Sequence, residues 1–172
     1  VGGAAGGINA LRAIVKGLAA DFISPVFIAW HMSPDASGIL PELLSTLTSL
    51  KVAHALDYEP IAPGRIYVAP PDHHLLVEQG HVRVTRGPKE NRFRPAIDPL
   101  FRSAAYAYRN RVIGVIVSGA LDDGVAGLWT IKNNGGISIV QDPADADIPS
   151  MPQNALREAP IDHCVPAADF PA

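Results

Sequence analysis

The sequence predicts an α/β fold: a three-layer, doubly wound, mostly parallel sheet with an added β-hairpin. Three observations predict it. Val26-Phe27-Ile28-Ala29-Trp30 and Val112-Ile113-Gly114-Val115-Ile116-Val117-Ser118 are short, continuous apolar runs, as expected of strands buried on both faces. These runs alternate with stretches of helical period, which calls for parallel strands joined by crossover helices. Leu75 to Val84 is β-rich but broken at Gln79-Gly80, the signature of a hairpin.

Taken in order, Val1 ends a first strand. From Gly7 to Val15 apolar residues fall at helical spacing, with Ile8, Leu11 and Val15 on one face. The strand Val26–Trp30 follows, and a helix is expected from Gly38 to Leu50 through Leu40, Leu43, Leu44 and Leu47. Pro63-Gly64 turns the chain into a strand at Ile66–Ala69, which leads to the hairpin. Pro99 to Tyr108 is helical, and Val112–Ser118 is the most β-rich stretch. Asp122 to Asn134 forms a helix stopped by Gly135-Gly136. Ile137–Val140 is a strand, Pro152–Glu158 a last short helix, and Ile161–Val165 is extended.

The chain has 172 residues, enough for one domain with a sizeable core. A net charge of −3 and a pI near 6.0 give no general pull toward nucleic acid or anionic membrane. No apolar run approaches the ~18 residues of a membrane-spanning helix, so membrane insertion is not expected. The one cysteine, Cys164, excludes an internal disulfide and suits a reducing cytoplasm. Asp72, His73 and His74 lack further ligands at recognisable spacing, so no metal and no cofactor are expected. The abrupt opening at a motif reads as a fragment of a longer protein.

That motif is Gly2-Gly3-Ala4-Ala5-Gly6. It fits the G-x-S-x-G nucleophile elbow, a sharp strand-to-helix turn that exposes a hydroxyl at the top of a sheet, except that alanine replaces the serine. Taken alone, the same glycines also fit a structural tight turn or a phosphate-binding loop, although the dinucleotide fingerprint fails at Ala4. In open parallel sheets the reactive groups sit in loops at the carboxyl ends of strands. Those loops carry Ala4, then His31-Met32-Ser33-Pro34, then Ser118-Gly119-Ala120-Leu121-Asp122-Asp123-Gly124. A hydroxyl position, an imidazole and a carboxylate from three strand ends follow the logic of a catalytic triad. Each residue also has a plainer reading: His31 as a hydrogen-bonded structural residue, and Asp122-Asp123-Gly124 as the N-cap of the next helix. Arg83, Arg86, Lys89, Arg92 and Arg94 fall within twelve residues that contain one acid, Glu90; they make either a basic surface for an acidic peptide or a solvated loop.

Read together, the loops resemble those of the CheB-type protein-glutamate methylesterases. The resemblance is carried, in order, by Gly2 to Gly7, Trp30-His31-Met32-Ser33-Pro34, Pro63 to Pro70, Asn91-Arg92-Phe93-Arg94-Pro95, Ser118 to Gly124, Gln141-Asp142 and Ser150-Met151-Pro152. It spans nearly the whole chain and implies one catalytic domain, residues 1–172, without the receiver domain that usually precedes it. It further implies a cytoplasmic enzyme that hydrolyses glutamyl methyl esters on the cytoplasmic helices of chemoreceptors, and deamidates some glutamines there, with a Ser-His-Asp triad and no cofactor.

Carried over by position, the serine falls on Ala4, the histidine on His31 and the aspartate on Asp123, with Asp122 as the second choice. The N–H groups of Ala5 and Ala120 become the oxyanion-hole candidates, and Arg92 and Arg94 candidates for contacting an acidic receptor segment. Phe93 departs from the histidine usual between those two arginines, and Ala120 from a frequent methionine. A methylated chemoreceptor and a receiver domain, upstream or in trans, are the implied partners. Alanine cannot form an acyl-enzyme, so the chain as written is expected to be nearly inert, or else a receptor-binding scaffold on the same fold.

Overall fold

The computed structural model describes residues 1–170. In chain order the strands are β1 (Gly2–Gly3), β2 (Val26–Trp30), β3 (Lys51–His54), β4 (Arg65–Val68), β5 (His74–Glu78), β6 (His81–Thr85), β7 (Ile113–Ile116), β8 (Ile137–Gln141) and β9 (His163–Val165). The helices are α1 (Ile8–Gly17), α2 (Leu40–Ser45), α3 (Ile97–Tyr108), α4 (Val125–Asn133) and α5 (Ser150–Glu158).

Seven strands form one sheet of order β3-β4-β2-β1-β7-β8-β9 with every pairing parallel, and β5-β6 form a separate antiparallel hairpin. The predicted fold class is the observed one. The chain winds outward from β1 on one side, returns, and leaves from β7 on the other. The switch point, where such sheets place their sites, therefore lies at the carboxyl ends of β1, β2 and β7.

Alternation along the strands builds the three layers. Ile28, Ile66, Val68, Val115 and Val117 point to one face, against Leu11 and Val15 of α1 and Leu40 and Leu44 of α2. Ala29, Tyr67, Ile116 and Val140 point to the other, against Ile97, Leu100 and Phe101 of α3, Leu128 and Ile131 of α4, and Met151 and Ala155 of α5. The hairpin joins this second layer through Leu75, Val77 and Val82.

Two expectations need correction. The helix expected over Gly38–Leu50 is the short α2, because Ser45 and Thr46 turn their hydroxyls back to the carbonyls of Glu42 and Leu43 (2.7 and 2.8 Å) and end it. The chain is then free to form β3, an edge strand too short and too polar to show as an apolar run. The helix expected from Asp122 starts at Val125 instead. Gly124 holds its N-cap position at φ 97°, and no side chain of the Asp122-Asp123 pair caps it. Asp123 is used elsewhere.

Candidate active site

The elbow forms as a strand-to-helix turn. Ala4 follows β1, its N–H donating to Ser118 O (3.1 Å), and the Gly7 N–H closes the turn on Ala4 O (2.9 Å). Two glycines are required by geometry. Gly6 sits at φ 88°, and a Cβ on Gly7 would stand 2.7 Å from Ser118 O. Ala4 is half-buried and Ala5 exposed at the tip. Next door, His31 N–H extends the ladder to Gly3 O (2.9 Å), so β1 and β2 deliver Ala4 and His31 side by side. Ser118, on the far side of Ala4, follows β7 and leads to Asp123.

His31 and Asp123 meet, with Nε2 to Oδ2 at 2.6 Å and both side chains buried. Asp123 has four donors. Oδ2 also accepts the Ile97 N–H (2.6 Å), while Oδ1 accepts the Asp98 N–H (3.1 Å) and Nδ2 of Asn91 (2.8 Å). Ala96, the N-cap residue of α3, offers no side-chain cap, so Asp123 caps that helix from a distance. Asp98, in the first turn of α3, returns the arrangement by accepting the Gly127 N–H in the first turn of α4 (2.7 Å). The two helices thus cap each other through two buried acids. Asn91 bridges the acids, donating also to Asp98 Oδ2 (2.7 Å).

Burial alone would raise the Asp123 carboxyl, but the bonds from His31, the Ile97 N–H and Asn91 outweigh it and hold the group below its ordinary value. Asp98 goes the other way. Burial and the neighbouring Asp123 charge raise it, and the bonds from Gly127 and Asn91 offset only part. Asp123 therefore contributes stability above the unfolded carboxylate value of ~3.9, lost as pH falls through its depressed folded value. Asp98 costs stability above its raised folded value, and that cost fades as pH falls toward ~3.9. In a carboxyl NMR titration of the folded chain, Asp98 takes up its proton at higher pH than Asp123; the reverse order contradicts this account.

The ionised Asp123 only accepts, so the His31 proton shared with it belongs on Nε2. The lone pair is then on Nδ1, which is buried and has no partner among the described residues. Against the face of the imidazole lies Phe93, stacked at a centroid separation of 3.5 Å and an interplanar angle of 7°.

The other candidates divide. Ala5 and Ala120 are both exposed, and among the described residues neither N–H has an intramolecular acceptor. Asp122 is exposed, and the carboxylate that meets His31 is that of Asp123. The hydroxyl of Ser118 is engaged with the Ile148 carbonyl and N–H (3.1 and 2.8 Å). Asp72 accepts from Arg86 and Arg94, while His73 and His74 bond to the carbonyls of Pro71 and Pro88.

The basic cluster is largely neutralised by the fold. Arg83 pairs with Asp57, Arg86 with Asp72, and Arg94 makes two bonds to Asp72 and one to Gly87 O. Lys89 and Arg92 are exposed, without an ion-pair partner among the described residues. The local count of one acid in twelve residues missed Asp57 and Asp72, which arrive from other loops.

A protein-family model described as CheB methylesterase matches residues 1–172. The chain belongs to the CheB methylesterase family. A relative in Leptospira interrogans, named provisionally as a protein-glutamate methylesterase/protein-glutamine glutaminase, is 40% identical over 164 residues, which cover 95% of this chain and 85% of that protein. A protein-glutamate methylesterase/protein-glutamine glutaminase of Caulobacter vibrioides is also 40% identical, over 88% of this chain and 45% of its own length. The chain thus spans about half of that longer relative. The crystal structure of the Thermotoga maritima CheB methylesterase catalytic domain superposes with a TM-score of 0.93 at 32% identity, covering 99% of this chain and 92% of that one.

Within this CheB-family fold, three residues outside the candidate set touch the His31–Asp123 pair or its support: Asn91, Phe93 and Asp98. Asn91 and Phe93 lay inside a motif read for its arginines. Asp98 carried no signal, since an acid near a helix start is ordinary.

Proposed function

We propose that this domain is a protein-glutamate methylesterase of the CheB type whose nucleophile position is empty at Ala4. The reading rests above all on His31, held by Asp123 through Nε2 with its buried Nδ1 unpartnered among the described residues, at the strand end beside Ala4. A serine at position 4 would give its proton to Nδ1 as Oγ attacks the ester carbonyl of a methylated glutamate. Asp123 would hold the tautomer and stabilise the imidazolium. The N–H groups of Ala5 and Ala120 would take the developing oxyanion. The proton on Nδ1 would then pass to the departing methoxide, releasing methanol, and water would hydrolyse the acyl-enzyme by the same route. Glutamine would be deamidated alike, with ammonia leaving. No metal or cofactor enters these steps.

As it stands, the domain binds such segments without turning them over. Ser118 does not substitute, because its hydroxyl is engaged with Ile148. The cytoplasmic helices of methylated chemoreceptors are the proposed substrate, and a receiver domain, upstream or in trans, the proposed regulator, which places the protein in the cytoplasm. Among the described residues no helix is long and apolar enough to cross a membrane.

The second reading, a receptor-binding scaffold, is favoured by Ala4 itself. Methanol release from a methylated receptor fragment, measured for this chain and for Ala4→Ser, separates the two. Turnover by the variant alone supports the esterase, whereas binding by both with turnover by neither supports the scaffold. Of the two arginines proposed for the acidic segment, Arg92 has no ion-pair partner among the described residues and Arg94 is occupied by Asp72. Arg92→Glu should weaken fragment binding several-fold at low salt, with the difference shrinking as salt rises. Isothermal titration at two ionic strengths checks this, and equal affinities would remove Arg92 from the interface.

A further inference from the structure

We infer that the tight turn Glu90–Phe93 is the positioning element of the His31–Asp123 pair, Asn91 orienting the carboxylate and Phe93 the imidazole. The inference rests on the reading of these two residues as base and orienting acid.

The turn is built for this. Glu90 and Phe93 exchange backbone hydrogen bonds (3.1 and 2.8 Å), and the two residues between them, Asn91 and Arg92, both have positive φ (50° and 74°). That is the primed type of two-residue turn, and Asn tolerates its left-handed first position better than most residues. Arg102 of α3 anchors the turn by two bonds to Glu90 (3.0 and 3.1 Å). From this base Asn91 spends both protons of its amide on buried acids, one on Asp123 Oδ1 and one on Asp98 Oδ2. Two residues on, Phe93 lies flat against His31. One turn therefore touches both members of the pair.

Each contact does something the rest of the site does not. Asp98 and Asp123 are neighbouring buried acids, and among the side chains of the described residues Asn91 alone donates to both. The titratable groups facing Asp123 are His31 from the end of β2 and Asp98 from α3, while Asp122 on its own loop points to solvent. Without the Asn91 amide the carboxylate loses one of its four donors and is free to rotate away from His31. Phe93 fixes the plane of the imidazole by covering its face, which a hydrogen bond at one edge cannot do.

The test uses two settings so that its failure and the failure of the esterase reading are told apart. In the unmodified chain, with no turnover needed, the Asn91 side-chain protons should both resonate downfield, as hydrogen-bonded amide protons do. The His31 ring protons should carry the upfield shift of a stacked aromatic. Asn91 protons without the downfield shift of hydrogen bonding, or unshifted His31 protons, overturn the inference directly. Asn91→Gly removes the amide while keeping a residue suited to positive φ. It should move the Asp123 carboxyl titration to higher pH. Phe93→Leu should abolish the His31 shift, and Phe93→Tyr should keep it.

In the Ala4→Ser background, Asn91→Gly and Phe93→Leu should each lower kcat by about 10- to 100-fold with KM nearly unchanged, and Phe93→Tyr should restore most of it. Unchanged titration and kcat in folded variants would overturn the inference. Absent turnover in Ala4→Ser itself would instead count against the proposed function and leave the NMR results to decide the turn's role.

Discussion

Ala4→Ser is expected to raise methanol release from a methylated receptor fragment by about 10⁵- to 10⁶-fold in kcat, with little change in fragment affinity. The magnitude follows from what the serine does in a triad, where its removal alone costs ~10⁶ because the base and carboxylate have nothing left to activate. At ~1.36 kcal/mol per decade this is about 7–8 kcal/mol of transition-state stabilisation, all from one oxygen. The site can receive it. Ala4 is half-buried, its turn is fixed by hydrogen bonds to Ser118 O and from Gly7, and the facing Gly119 has no side chain; a Cβ there would lie 3.2 Å from the Ala4 methyl. An acceptor is also waiting, since His31 Nδ1 is buried and, among the described residues, unpartnered. Affinity should hardly move, because the hydroxyl acts in the transition state and not in ground-state binding. Steady-state methanol assays with a parallel binding measurement check both halves.

Replacing Asp123 should damage both stability and chemistry. In the unmodified chain Asp123→Ala should cost about 2–4 kcal/mol. It uncaps α3, worth ~1 kcal/mol, and leaves the buried His31 donor unmatched at ~1–3 kcal/mol. Urea unfolding at pH 7 measures it, and a loss under ~1 kcal/mol would mean the carboxylate is not the hub described. The loss should shrink on acidification below ~3.9, because the lowered carboxyl contributes its full stability only above that unfolded value and loses it as pH falls through the folded one. Asp123→Asn, placed in the Ala4→Ser background, keeps the shape but presents an amide to Nε2, which favours the wrong tautomer. A fall of ~10⁴ in kcat is expected. Stability should suffer less than in the alanine variant, which separates the capping role from the catalytic one.

Much of this was legible in the residues because two kinds of signal are local. β2 is an unbroken apolar run with the bounds read for it, and the hairpin turned at Gln79-Gly80 as expected. The elbow was readable because Gly6 and Gly7 answer to backbone geometry that few other residues meet. What escaped depends on partners far along the chain. β3 exists because β4 offers it an edge, not because Lys51–His54 is strongly β-forming. Asp123 looked like the cap of its own helix and proved to cap α3, 25 and 26 residues away. Arg83, Arg86 and Arg94 looked like a free basic surface until Asp57 and Asp72 came in from other loops. Asn91 and Phe93 were hidden for the same reason, since a turn shows its role only once His31 and Asp123 stand beside it.

The central claim is that His31 and Asp123 form a working base whose nucleophile belongs at position 4. Intact-mass analysis after treatment with a fluorophosphonate, a serine-directed acylating mimic, tests it without needing the right receptor. The account predicts one adduct, at residue 4, in Ala4→Ser, none in the unmodified chain, and loss of the adduct when His31→Ala is added. No adduct in Ala4→Ser, or labelling undiminished without His31, would contradict it.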